Sequence, residues 1–147
     1  ARESVFNLIF SHFGPLDGAP VADLFAGSGA LGIEALSRGA ASVVFVERDV
    51  GAARTIRANL AATGLAGAIV VAGDVWSYLR TAPAVELAFA DPPYGFSAWG
   101  ELGAAIRAGF LVAEAGAPVD PGPNWKVLLV RRYGGTVVTL AQPRSDP

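Results

Sequence analysis

The sequence predicts an α/β protein: a doubly wound, mostly parallel sheet that closes with an antiparallel hairpin. Three observations carry that expectation. Short apolar runs alternate with stretches that have helix caps at one end and glycine stops at the other. Runs such as SVVFVE at 42–47 are continuously apolar and β-branched, as strands covered on both faces are. The chain closes with two apolar runs flanking Gly134-Gly135, a hairpin signature.

In chain order, an opening helix carries Arg2, Glu3 and Asn7, and residues 20–25 form a first strand between Gly18 and Gly27. A helix over 30–38 stops at Gly39, and the strand 42–47 follows. Asp49 caps a helix over 50–62 that Gly64 ends. Residues 68–72 make the third strand, 75–80 a short helix and 85–90 the fourth strand. A helix over 97–107 leads to a fifth strand at 110–113, and strands at 126–132 and 136–140 form the hairpin. Right-handed crossovers make the sheet parallel. The connection 116–124 (GAPVDPGPN) holds three prolines and no full helix. If the sixth strand runs parallel to the fifth, these nine residues cross the sheet alone, within an extended reach of about 30 Å.

Composition sets the outer limits. At 147 residues the chain is one domain, 1–147, with 52% hydrophobic residues for its core. The formal net charge is −2, evenly spread between the halves, so there is no basic half to mark a nucleic-acid footprint. Zero cysteines and the single His12 exclude a disulfide framework, a thiol nucleophile and a Cys- or His-built metal site. No metal is expected. No apolar run spans a bilayer and no signal peptide opens the chain, so a cytoplasmic protein with no membrane partner is expected. The absence of methionine says that the natural start is removed or that the chain is a fragment.

Ligands of parallel sheets sit beyond the carboxyl ends of the strands. The best-marked such end is Asp23-Leu24-Phe25-Ala26-Gly27-Ser28-Gly29-Ala30-Leu31-Gly32, where Gly27, Gly29 and Gly32 satisfy G-x-G-x-x-G. Glycines there let a cofactor approach the backbone, and the following helix N-terminus favours an anion. Glu47, 20 residues after Gly27, suits the two hydroxyls of a ribose. The loop alone fits a dinucleotide or a nucleoside, or merely a compact turn. Asp23 narrows the choice: a carboxylate is awkward beside a pyrophosphate and suitable beside an ammonium. S-adenosyl-L-methionine has that ammonium, a carboxylate, a ribose and an adenine. Asp74 supplies a carboxylate for the adenine amine, caps the helix 75–80, or does both.

Phe89-Ala90-Asp91-Pro92-Pro93-Tyr94 is the second informative stretch. Two prolines stiffen the chain and remove two backbone donors. What remains is an acceptor-rich corner, the Asp91 carboxylate with unpaired carbonyls, beside the aromatic face of Tyr94. A nucleobase amine is a poor nucleophile because its lone pair is delocalised into the ring. Accepting hydrogen bonds from its protons restores that lone pair, and stacking on Tyr94 fixes the ring plane. The bland alternative is a stiff turn with a core tyrosine.

Asp-Pro-Pro-Tyr with the glycine loop resembles the amino-methyltransferases of adenine N6, guanine N2 or a glutamine amide. The sequence is most similar to the bacterial small-subunit (16S) ribosomal RNA guanine-N2 methyltransferases. Arg2-Glu3-Ser4-Val5-Phe6-Asn7, the segment 23–40, Phe45-Val46-Glu47-Arg48-Asp49, Asn59-Leu60, Asp91-Pro92-Pro93-Tyr94 and Tyr133-Gly134-Gly135-Thr136 carry the resemblance. It implies a Rossmann-like methyltransferase fold of seven strands and direct in-line methyl transfer to a guanine amine. The substrate implied is small-subunit ribosomal RNA, within an assembling 30S particle. Asp23, Ala26, Gly27, Gly29, Glu47, Arg48, Asp74, Val75 and Asp91 would hold the cofactor. Asp91, Pro92 and Tyr94 would be catalytic, holding a flipped-out base. A monomer is expected. The family's basic N-terminal segment is absent ahead of Arg2-Glu3, so weak, salt-sensitive RNA binding is expected.

Other residues carry less. The opening helix either lies across the cofactor pocket or is a solvated helix start. Arg131 and Arg132 alternate faces of a strand; with Lys126, Arg48, Arg54 and Arg57 they could contact phosphates. Trp76, Trp99 and Trp125 are read as packing residues and His12 as structural. Rival readings are a methyltransferase of another planar nitrogen, a nicotinamide-dependent oxidoreductase sharing the glycine loop, and a non-catalytic binding module.

Overall fold

A computed structural model describes residues 2–145. The elements are α1 (Arg2–His12), β1 (Pro20–Leu24), α2 (Ala30–Ser37), β2 (Ser42–Glu47), α3 (Val50–Thr63) and β3 (Ala68–Ala72), then α4 (Val75–Thr81), β4 (Leu87–Ala90), α5 (Trp99–Ala105), β5 (Leu111–Ala115), β6 (Trp125–Tyr133) and β7 (Thr136–Pro143). Seven strands form one sheet in the order β3-β2-β1-β4-β5-β7-β6. The first five are parallel, and β7 is antiparallel to both β5 and β6. This is the doubly wound sheet that the sequence predicts, with its order reversing between β1 and β4.

Strand alternation divides the core into two layers. Val21, Phe45, Phe89, Val112 and Leu140 face α1, α2 and α3, through Val5, Phe6, Ala35 and Ile56. Leu24, Val46, Ala88, Ala90 and Leu111 face α4 and α5, through Val75 and Leu102. On the first face, the rings of Phe6 and Phe89 lie 5.7 Å apart and dock α1 over β4. Gly32 allows α2 to approach β2: a Cβ there would overlap the Phe45 ring and reach the Val43 side chain. Among the described residues, no helix is long and apolar enough to cross a membrane.

The hairpin departs from a simple edge addition. β7 inserts between β5 and β6, so β6 runs in the direction of β5 at the outer edge. The connection 116–124 therefore does cross without a helix, and the contacts that hold it explain how. Its Val119 N–H donates to Thr139 Oγ1 of β7 at 3.1 Å, in buried surroundings. The indole N–H of Trp125 donates to the Gly103 carbonyl at 2.8 Å. Gly103 has no room for a Cβ because the Pro121 carbonyl lies against it. Helix α5 is shorter than the predicted 97–107: it begins at Trp99, and its carboxyl end turns extended at Ile106, two residues before Ala108 bridges to Val85.

Candidate active site

Strand register builds the site. Asp23 of β1 lies opposite Phe45 of β2 and Phe89 of β4, and Phe89 lies opposite Val112 of β5. Two residues further on, at the carboxyl edge of the sheet, come Glu47, Phe25, Asp91 and Glu114. Period-two alternation gives Glu47, Asp91 and Glu114 the same face, whereas Phe25 packs with the α4 and α5 layer, its ring 5.6 Å from that of Phe96. Phe25, the residue after β1, has a left-handed φ of 59°, a conformation that costs a bulky residue energy and that clusters at functional sites.

A cleft of about 440 Å³ opens along this edge, lined by Gly27, Glu47, Arg48, Asp74 and Val75. Phe25, Trp76, Phe96, Pro93 and Asp91 complete its lining. The volume falls within the range of small-molecule sites. Six of the residues read as cofactor-binding thus meet at one cleft: Gly27, Glu47, Arg48, Asp74, Val75 and Asp91. Asp23, Ala26 and Gly29 are not on its walls; they lie behind, shaping the loop. Asp23 is 2% exposed, and its Oδ2 accepts the Gly32 N–H at 3.0 Å. Burial pushes its carboxyl up to about 8, with the charges of Asp91, Glu114 and Glu47 adding to the rise. Asp23 thus braces the glycine loop from beneath, through the Gly32 N–H, and does not itself line the cleft. Ala26 donates its N–H to the Val46 carbonyl, and Gly29 turns the chain into α2 at φ 82°. Asn59 of α3 supports the same loop by donating to the Ser28 carbonyl at 3.2 Å.

The polar walls keep spare acceptors. Glu47 accepts the Gly27 N–H and the Asp49 N–H, each at 2.8 Å on a different oxygen. A carboxylate oxygen has two lone pairs, so both oxygens still have one for a ligand hydroxyl. Asp74 caps α4 by accepting from the Ser77 N–H at 3.0 Å and the Ser77 hydroxyl at 3.2 Å, both on Oδ2. Its Oδ1 stays available, so capping and ligand binding are compatible.

Beyond Asp91 a second cleft of about 680 Å³ is lined by Pro92, Tyr94, Trp99, Glu114, Pro118 and Gly135. Pro93 and Phe96 line both clefts, so the Asp-Pro-Pro-Tyr turn is the partition between them. Tyr94 is 102% exposed, which rules out the core-tyrosine alternative and leaves its ring face bare. Burial raises the Asp91 carboxyl above the usual carboxylate range. The corner is less acceptor-rich than the sequence suggests, because the Phe96 N–H donates to the Pro93 carbonyl at 3.1 Å. The Pro92 carbonyl has no such partner among the described residues.

Several expectations change. Trp76 is more than a packing residue: it stacks on Phe96 with centroids 6.4 Å apart and forms a cleft wall. Trp99 meets Phe96 edge-on at 5.2 Å and lines the second cleft, whereas Trp125 is buried as read. The opening helix does not lie across the cofactor cleft. Arg2 instead approaches Glu34 of α2 at 3.9 Å, and Glu3 and Asn7 are exposed. His12 bonds the Leu8 carbonyl one turn back. Phe25, Phe96 and Glu114 escaped the sequence reading; a carboxylate closing an apolar strand was the available signal for Glu114.

Fold and clefts together define a class, the Rossmann-like methyltransferases. An Escherichia coli structure named "Putative methyltransferase yhhF" superposes with a TM-score of 0.84 at 28% identity, over 99% of this chain and 84% of that one. The chain belongs to the family described as Conserved hypothetical protein 95, whose model matches residues 1–141. Among relatives, the Bacillus subtilis protein named "Putative rRNA methyltransferase YlbH" is 37% identical, over 98% of this chain and 85% of that protein. Ribosomal RNA small subunit methyltransferase D of Haemophilus influenzae is 28% identical, over 90% of this chain and 75% of that protein.

Proposed function

We propose that the protein is an S-adenosyl-L-methionine-dependent methyltransferase that modifies the exocyclic N2 amine of a guanine in small-subunit ribosomal RNA. The observation that carries this reading is the partition. One turn, Asp91 to Phe96, separates a nucleoside-sized cleft whose lining includes Asp91 from a second cleft that carries a bare aromatic ring and the Glu114 carboxyl. The names of the relatives support ribosomal RNA as the substrate class.

The residues fit the cofactor. Glu47 would accept from the ribose hydroxyls, Asp74 Oδ1 from the adenine amine, and Phe25, Trp76 and Phe96 would cover the purine. Gly27 leaves the approach open at φ 58°. When bound, S-adenosyl-L-methionine supplies an electrophilic methyl group on a sulfonium. On the other side of the partition, Tyr94 would stack the target base, while Asp91 and the Pro92 carbonyl accept from the two amine protons. That withdraws the nitrogen lone pair from the ring and aims it through the partition. The raised proton affinity of Asp91 also suits it to accept the proton that the amine releases.

Titration calorimetry with S-adenosylhomocysteine and with NAD tests the cofactor half of the reading. Saturable binding of the first alone is expected; binding of NAD alone would make the chain an oxidoreductase. Asp91→Ala tests the chemistry. It should reduce methyl transfer by about 100-fold or more, the scale of a lost transition-state acceptor. S-adenosylhomocysteine affinity should stay within a few-fold of wild type. Transfer at the wild-type rate would remove Asp91 from the mechanism.

A further inference from the structure

The second cleft contains a carboxyl that the transfer described above does not use. Glu114 follows Ala113, which is paired with Ala90 across β4 and β5, so Glu114 and Asp91 stand side by side one residue beyond that pair. Adjacent strands are about 4.8 Å apart, and both residues lie on the same face of the sheet. Glu114 lines the cleft with Pro92 and Tyr94 and is half-buried. Among the described residues, neither an ion pair nor a hydrogen bond satisfies either carboxyl. Two like-charged acceptors held together without a donor between them are costly for the protein alone. They suit a ligand edge that presents several adjacent donors.

We propose that Glu114 is a specificity-determining residue that accepts the N1–H of the target guanine, while Asp91 accepts from the neighbouring N2 amine. Guanine presents N1–H and N2–H₂ side by side on one edge, which matches two neighbouring carboxylates. Adenine presents a bare N1 lone pair next to its amine, and that lone pair would face the Glu114 carboxylate. The arrangement therefore selects guanine over adenine by leaving the wrong base with an acceptor against an acceptor. Burial and the Asp91 charge push the Glu114 carboxyl up to about 7, so a donor from the base is what favours its ionised form. The inference rests on the guanine-N2 reading above and adds to it the residue that reads the base.

The test uses 2-aminopurine, which keeps the N2 amine of guanine but has a lone pair in place of N1–H. Wild-type protein first maps the methylated nucleotide in small subunits lacking the modification. Subunits are then reassembled with guanine or 2-aminopurine at that nucleotide, and transfer rates are compared. Wild type should prefer guanine by at least about 10-fold, the scale of one mismatched buried hydrogen bond. Glu114→Gln, whose amide can donate to the N1 lone pair, should lower the guanine rate, raise the 2-aminopurine rate and shrink the ratio at least several-fold. Equal wild-type rates on the two bases would overturn the proposal without any variant. So would an unchanged ratio in a Glu114→Gln protein that still binds S-adenosylhomocysteine. If the variant does not fold, the wild-type ratio decides. A wild-type protein that forms no N2-methylguanine on native subunits overturns the underlying function instead, and the two failures are distinct.

Discussion

Asp23 shows how far a single residue's role depends on what surrounds it. By spacing, it is an anion placed beside a cofactor; in the fold, it is a buried carboxyl under the glycine loop, holding the Gly32 N–H at 3.0 Å. Its proton affinity, raised to about 8 from an ordinary 3.8, means that the folded chain keeps a proton the unfolded chain releases. The stability this contributes is complete below about pH 4 and is lost as pH rises to about 8. Urea denaturation at pH 5, 7 and 9 should show stability falling. Asp23→Asn keeps an acceptor for Gly32 and should flatten most of that fall, the remainder belonging to Glu114. An equal fall in the variant would mean that Asp23 is ionised. Gly32 makes a second prediction at this scale. Gly32→Ala forces a methyl into the Phe45 ring, which has no exposed side to retreat to. Overpacking of this kind costs about 1–3 kcal/mol, measurable as a lower denaturation midpoint.

The connection 116–124 and the closing hairpin show the same dependence at the scale of elements. Three prolines mark that connection as a bare crossing, but nothing in its sequence says what holds it. Thr139, on a strand read simply as half of a hairpin, is 1% exposed and accepts from Val119. Thr139→Val should leave that buried N–H unpaired and cost about 1–3 kcal/mol, with the loss appearing as faster amide exchange across the connection. The hairpin's outer strand also exposes Lys126, Arg131 and Arg132, and its turn residue Gly135 reaches the second cleft. If that strand tracks RNA phosphates, Arg131→Ala and Arg132→Ala should each lower the salt slope of RNA binding by about 1. An unchanged slope would move the RNA path elsewhere.

Over the whole molecule, what the sequence revealed and what it hid follow from the range of the interactions. Strands such as Ser42–Glu47 and helices such as Val50–Thr63 were legible because continuous apolar runs, caps and glycine stops are local signals. The glycine loop and Asp-Pro-Pro-Tyr were legible because each is contiguous. The insertion of β7 beside β5 was not, since pairing order is decided by which edge buries more surface. Glu114 and Trp76 were hidden for a related reason: they become neighbours of Asp91 and Phe96 only through sheet register and ring packing. The net charge of −2 is likewise a whole-molecule quantity that conceals a basic outer strand.

The central claim is that the two clefts on either side of Asp91 bring a methyl donor to a guanine amine. The most direct measurement incubates the protein with labelled S-adenosyl-L-methionine and small ribosomal subunits lacking the modification. Digestion of the RNA to nucleosides and mass spectrometry then identify the product. The account predicts label in N2-methylguanosine at a single nucleotide, lost with Asp91→Ala. Label in N6-methyladenosine, in a protein glutamine, or in no product despite demonstrated cofactor binding would contradict it.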